Sequence, residues 1–190
     1  MEKKSKSIIA IKNMYLHKNI DSEKVYHKTE LLLSIYRNVV WQTLDQLEYF
    51  DEDLNSINSD FLSNDLNSAF TYLENFSTDW EKEKFMGKAI SISETKWFIE
   101  LIDKAMYKVY NYYDNGRLYH EILSKTYLVN TKYPQEELLE ILDIERSTYY
   151  RKKKEAILLL GISLWGYAIP EMKEIFDEYK TYETIPEYYR

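Results

Sequence analysis

The stretch LLEILDIERSTYYRKKKEAILLLG, residues 138–161, decides the fold. Two apolar runs at helical spacing flank a short polar interruption, which predicts two helices joined by a tight turn. The second helix gathers five basic residues into nine positions with no acid among them, although the whole chain has a net charge of -7. Because a solvated helix face usually mixes its charges, this run indicates a surface that meets something negative. The basic residues are Arg146, Arg151, Lys152, Lys153 and Lys154.

The residues around this stretch predict a further helix before it and the limits of the other two. The first helix is expected over residues 117–129. The second is expected to begin at Pro134, because a proline at the first helical position loses no hydrogen bond. The third is expected to end at Gly161, since glycine is common just beyond helix ends. The expected inward-facing residues are Tyr119, Leu123 and Tyr127 on the first helix, Leu138, Leu139, Ile141 and Leu142 on the second, Ile144 in the turn, and Tyr149, Ala156 and Leu160 on the third.

The second and third helices have the lengths of a helix-turn-helix, in which the later helix lies in the major groove of DNA. Arg146 and Arg151 are the expected base-reading residues, because a guanidinium can bond a guanine twice. The three lysines are expected to contact phosphates or to remain solvated. A solvated basic surface is the alternative interpretation. The predicted DNA-binding set is Arg146, Ser147, Thr148, Tyr150, Arg151, Lys152, Lys153 and Lys154.

The rest of the chain also carries helical periodicity. Apolar residues recur every three or four positions over residues 22–50, where Asp21 or Ser22 would cap the start. Ser91 and Glu94 have the spacing of a capping box, and an amphipathic run follows. No alternating strand pattern occurs, so the predicted fold class is all-α: a helical N-terminal region, then a long helix, then a C-terminal helix-turn-helix module. The predicted limits are 1–88 for the N-terminal region, 89–175 for the module and 176–190 for a tail.

Two glycines suggest where other helices end. The long helix that follows Ser91 is expected to stop at Asn115-Gly116, a good helix terminator. The apolar segment LLLGISLWGYAIPEM, residues 158–172, is expected to form a core helix hairpin. Its Trp165 and Ile169 would pack on that long helix.

Charge is distributed unevenly along the chain. Between Arg37 and Lys82 there is no basic residue, whereas ten acids occur. This segment is interpreted as an acidic soluble surface, as a docking face for a basic partner, or as a region that repels DNA. We therefore expect the DNA-facing element elsewhere, and we assign to the N-terminal region either self-association into a homo-oligomer or contact with RNA polymerase or another protein.

Several kinds of chemistry lack the residues that they need. The chain has no cysteine, which fits the cytoplasm. No phosphate-binding glycine loop, zinc-protease motif or nucleophile elbow occurs, so we predict no enzyme and no cofactor. Glu23, His27 and Glu30 share a helical face, but a solvent-facing ion network is favoured there over a metal. No apolar run approaches the length of a membrane span, so no membrane partner is expected.

The segment IERSTYYRKKKEAILLLGISLWGYAIPE, residues 144–171, resembles the C-terminal region of ArpU/RinA-type phage transcriptional regulators, whose module is similar to region 4 of sigma factors. The resemblance covers roughly residues 91–171. It implies a regulator of late genes on phage or mobile-element DNA that works with host RNA polymerase. Two positions depart from a typical helix-turn-helix: Leu139 stands where a small residue is usual, and Asp143 replaces the turn glycine. The matching residues are Ile144, Arg146, Ser147, Thr148, Tyr149, Tyr150, Arg151, Lys153 and Ala156.

Two other functions remain open from the sequence. A helical protein-interaction module, such as an adaptor or antirepressor, would use the basic helix to bind an acidic partner. A terminase-like DNA-packaging subunit would also use a helix-turn-helix, but it would assemble into a ring.

Overall fold

A computed structural model describes residues 6–50 and 92–174, and every regular element within these two ranges is helical. The predicted all-α fold class is therefore confirmed. Two π-helical turns, Ser124–Leu128 and Leu164–Ala168, extend the fourth and sixth helices. The helices are α1 (Lys6–His17), α2 (Ser22–Phe50), α3 (Ile92–Tyr110), α4 (Gly116–Leu123), α5 (Gln135–Leu142) and α6 (Arg146–Ser163).

Helix α2 begins and packs as its sequence predicts. The Asp21 carboxylate accepts hydrogen bonds from the amides of Glu23 at 2.9 Å and Lys24 at 3.1 Å, which caps the first turn. Its apolar stripe faces α3 and α6, so the N-terminal region is packed onto the rest of the chain. The buried residues of this stripe include Val25, Thr29, Leu32, Leu33 and Tyr36.

The long helix α3 is amphipathic as predicted, with Leu101 and Val109 fully buried. It ends at Tyr110, before the stop predicted at Asn115-Gly116. Asn115 has a left-handed backbone with φ 60°, and Gly116 begins α4. A Cβ on Gly116 would lie 2.6 Å from the Val109 carbonyl oxygen. Glycine is therefore needed here to bring the start of α4 against the end of α3.

Helix α6 differs from the prediction at its C-terminal end. Gly161 does not end the helix, because α6 runs to Ser163 and continues through its π-helical turn into residues 169–174. The predicted hairpin over residues 158–172 is therefore wrong. Residues 155–164 are all buried, because α1, α2, α3 and α4 pack around this part of α6.

Gly161 marks a close approach between α6 and the N-terminal helices. A Cβ there would lie 2.6 Å from Tyr15 Oη and 2.8 Å from both Thr29 Oγ1 and Val25 Cγ1. The two polar neighbours are held in place, since Tyr15 donates a 2.6 Å hydrogen bond to the Leu158 carbonyl and Thr29 donates one of 2.7 Å to the Val25 carbonyl. Close packing, rather than helix termination, explains this glycine.

We expect Gly161→Ala to lower the free energy of unfolding by about 1–3 kcal/mol, because an added methyl group in a tightly packed core displaces its neighbours. This is a net loss, after the gain of about 1 kcal/mol that alanine brings in helix propensity. Gly166→Ala is the matched control, since the nearest atom to its Cβ is the flexible end of the Ile162 side chain. Urea unfolding followed by circular dichroism measures both variants, and a Gly161→Ala protein as stable as the parent would contradict the packing argument.

One core contains residues from both sides of the predicted limit at 88. Ile11 and Leu33 of the N-terminal helices are buried in the same cluster as Phe98 and Leu158. Helices α1 and α2 therefore belong to the packed unit that surrounds α6. The limits at 88 and 175 lie outside the described residues and stay predictions, and Ser91 of the capping box and the acidic segment from residue 51 onwards also lie outside them.

One helix of the described part, Arg146–Glu174, is long and apolar enough to cross a membrane by composition alone. However, 72% of its most apolar window is buried inside the protein. Core helices of soluble proteins pass the same test, so this helix is weak evidence for a span, and the expected absence of a membrane partner stays a prediction.

Candidate nucleic-acid interface

A small second core joins α4, α5 and the start of α6. Its buried members come from all three helices: Ile122 from α4, Leu138 and Leu142 from α5, and Tyr149 from α6. Ile141 is instead 42% exposed, so its predicted place on the apolar side of α5 is wrong. The shared core holds α5 and the start of α6 in a fixed arrangement. The partly buried residues around it are Leu118, Tyr133, Leu139 and Ile144.

The turn between α5 and α6 spans residues 143–145. Asp143 has a left-handed backbone, with φ 51° and ψ 47°, and its amide donates a 3.1 Å hydrogen bond to the Glu140 carbonyl. This confirms the expectation that Asp143 takes the conformation usual for the turn glycine. Pro134 lies just before α5 rather than at its first position.

One face of α6 is exposed over its first nine residues, Arg146 to Lys154. Since α6 continues well beyond these residues, the basic run occupies the N-terminal half of the helix. Cations at that end are unfavourable to the helix dipole, and the first turn contains no acid, although Glu145 precedes it. The run therefore disfavours the helix itself and favours an anionic ligand. The exposed residues of this face are Arg146, Ser147, Tyr150, Arg151 and Lys154, as the sequence predicts.

Helix α5 holds Tyr150 in place. Gln135 Nε2 donates a 2.9 Å hydrogen bond to the Tyr150 hydroxyl, and the Arg146 guanidinium lies 6.0 Å from the ring centroid. The bond from Gln135, followed by the interaction with Arg146, lowers the pKa of Tyr150. Because the hydroxyl oxygen accepts from Gln135, its hydrogen remains to donate to a phosphate or a base acceptor.

Lys152 lies in a different environment from its basic neighbours. Its side chain is 11% exposed, and its ammonium donates a 3.0 Å hydrogen bond to Oε2 of the fully buried Glu155. The same oxygen accepts a 2.8 Å hydrogen bond from the Tyr119 hydroxyl, and burial together with this bond raises the pKa of Tyr119. The structure therefore corrects the predicted DNA contact of Lys152, since its charge serves a buried carboxylate on the same helix.

The remaining members of the predicted set differ in exposure. Lys153 is half-buried, and its ammonium lies 5.0 Å from the ring centroid of Tyr127. Thr148 is also half-buried. Lys154 is exposed, with its ammonium 5.8 Å from the ring centroid of Tyr26 on α2. Of the three lysines, Lys154 is the one best placed for a phosphate contact.

The outer surface of α5 is acidic and lies beside this basic face. In a helix-turn-helix the earlier helix crosses the DNA backbone, so acids on α5 oppose the approach of phosphates. Affinity for DNA therefore has to come mainly from α6. The exposed acids of α5 and the turn are Glu136, Glu137, Glu140, Asp143 and Glu145.

No protein-family model matches this chain, and no curated protein and no solved structure is significantly similar to it.

Two residues of this surface were missed by sequence reasoning. Glu155 reads as one more charge in a polar run, although its place three residues after Lys152 is the spacing of a helical ion pair. Gln135 carries no signal in the sequence, because its bond to Tyr150 crosses the turn and depends on how α5 and α6 pack.

Proposed function

We propose that this protein is a sequence-specific DNA-binding transcriptional regulator of a phage or mobile genetic element, with α5 and α6 as its helix-turn-helix. The observation that carries the proposal is the division of α6: its first nine residues expose a basic, polar face, while Tyr149 on the opposite side is fixed by the small core to α4 and α5. Action alongside host RNA polymerase follows from the resemblance to the ArpU/RinA-type regulators and to sigma region 4.

The exposed face divides into groups with different tasks. Arg146 and Arg151 are proposed to bond guanines in the major groove, because each guanidinium can make two parallel bonds. Ser147 and Tyr150 supply hydroxyl groups to bases or to the backbone. Lys154 is proposed to contact a phosphate, which adds affinity without sequence preference.

Selection from a random duplex library tests the function directly. The protein is expected to enrich one short motif and to prefer it over a scrambled duplex by about tenfold or more, since each correct bidentate contact supplies about 1–3 kcal/mol. Repeated rounds that enrich no motif would contradict a sequence-specific role.

We expect Lys154→Met to reduce the salt dependence of binding. Arg146, Arg151 and Lys154 are the exposed cations of the α6 face, so the slope of log affinity against log salt should lie between about -1 and -3, at about -0.9 for each phosphate contact. The variant should bring the slope closer to zero by about 1 and weaken selected and scrambled duplexes equally. Fluorescence anisotropy at several salt concentrations measures both quantities. Lys6→Met on α1 is the control, and equal slopes in the two variants would remove Lys154 from the interface.

A protein-interaction module, such as an adaptor or antirepressor, is the second candidate. The acidic outer face of α5, with Ile141 exposed beside it, favours this function, because acids there oppose a DNA backbone and suit a basic protein surface. This candidate predicts no enriched duplex and weak, salt-sensitive binding to DNA of any sequence.

A further inference from the structure

Arg37 of α2 reaches the connection that leads into α5. Its Nε donates a 2.7 Å hydrogen bond to the Val129 carbonyl, and its Nη2 donates to the Lys125 carbonyl at 3.2 Å. A third, longer contact of 3.5 Å joins Nη2 to the Thr131 carbonyl. One guanidinium therefore spans the end of the π-helical turn and the loop that follows it.

The chemistry of this connection explains why an arginine stands there. The last carbonyls of a helical segment lack partners within the helix. The backbone becomes extended at Val129, with φ -67° and ψ 148°, so the chain leaves the π-helical turn abruptly. A planar guanidinium can bond several carbonyls at once, whereas an ammonium acts as a compact point charge.

The connection passes the position of Arg37 on to the exposed face of α6. Thr131 lies a few residues before Gln135, the first residue of α5. Gln135 in turn donates the hydrogen bond that orients Tyr150. A shift of the loop would therefore move both the start of α5 and the hydroxyl that it holds.

We propose that Arg37 is a positioning residue for DNA reading: it fixes the loop before α5, and through Gln135 it sets the place of Tyr150 on the α6 face. The inference rests on the proposed function. It also makes α2 part of the reading unit, because a side chain of the N-terminal region supports the helix-turn-helix.

The test compares Arg37→Met with Lys24→Met, which removes one exposed positive charge from the same helix. On the selected and the scrambled duplex, Arg37→Met should lower the ratio of the two affinities by about fivefold or more, since a binding site whose supporting residues loosen by about 1 Å loses much of its function. Lys24→Met should leave the ratio within about twofold, because isolated surface charges contribute little. Arg37→Lys should restore part of the ratio.

Hydrogen exchange on the full chain keeps the test independent of lost stability. Arg37→Met should speed exchange of the amides at residues 129–138 and leave that of α3 unchanged, whereas general destabilisation would speed both. Equal affinity ratios for Arg37→Met and Lys24→Met, or exchange that rises equally everywhere, would overturn the positioning role. Failure of the proposed function appears separately, as a parent protein that prefers no duplex, and the role of Arg37 in reading DNA would fall with it.

Discussion

Replacing Lys152 with methionine is expected to lower the free energy of unfolding by about 3–5 kcal/mol, because breaking a buried ion pair leaves a charge without compensation. Glu155 is fully buried, and its Oε1 has no hydrogen-bond partner within the part of the chain that the structure describes. Its charge therefore depends on the two bonds to Oε2, from Lys152 and from Tyr119. Methionine keeps the length and apolar packing of the lysine stem while removing the ammonium. Urea unfolding measures the loss.

The double variant Lys152→Met with Glu155→Gln is the matched control. The glutamine carries no charge, and its carbonyl oxygen can still accept from Tyr119, so most of the lost stability should return. Lys154→Met should change stability by less than about 0.5 kcal/mol, because that ammonium is exposed. A Lys152→Met protein as stable as the Lys154→Met protein would show that the buried pair contributes nothing, and Lys152 would again be available for DNA.

Arg151→Ala is expected to reduce the preference for the selected duplex over a scrambled one by about 10- to 100-fold, equivalent to about 1–3 kcal/mol for one bidentate base contact. Arg151 is exposed on the α6 face, so the variant should unfold at the same urea concentration as the parent. The two affinities are measured by fluorescence anisotropy at one fixed salt concentration, since affinity for DNA changes steeply with salt.

Lys154→Ala is the control for Arg151→Ala, because it removes a charge from the same exposed face. It should weaken both duplexes equally and leave their ratio unchanged. Lys153 is less suitable, since its half-buried ammonium lies against Tyr127 and its loss would disturb packing as well. If Arg151→Ala keeps the full preference of the parent, Arg151 does not read bases.

Helix identity was predictable wherever apolar residues follow a clear period. The stripe of α2, its Asp21 cap and the amphipathic α3 all occur as the sequence predicts. Helix ends were less predictable, because glycine serves two purposes. Gly161 was interpreted as a stop signal, yet it lies where Tyr15 and Thr29 leave no room for a side chain. That contact joins residues far apart in sequence, so no local pattern could reveal it.

The candidate site shows the same limit at the level of single side chains. Helical periodicity separated Arg146, Tyr150 and Arg151 from the buried Tyr149 correctly. It could not distinguish Lys152 from Lys154, because the difference depends on Glu155 being buried beneath α4. Charge at a position is read from the sequence, but its counter-charge is set by tertiary packing.

The continuity of α6 has a mechanical consequence. Between Arg151 and Gly161 the helix rises about 15 Å at 1.5 Å per residue, so it acts as a stiff lever with its pivot in the core. A tilt of about 5° at the pivot would move the outer arm by about 1 Å, enough to spoil a bidentate bond whose geometry tolerates about 0.5 Å. Substitutions near Tyr15 and Thr29 should therefore alter which duplex is preferred, although neither residue approaches DNA.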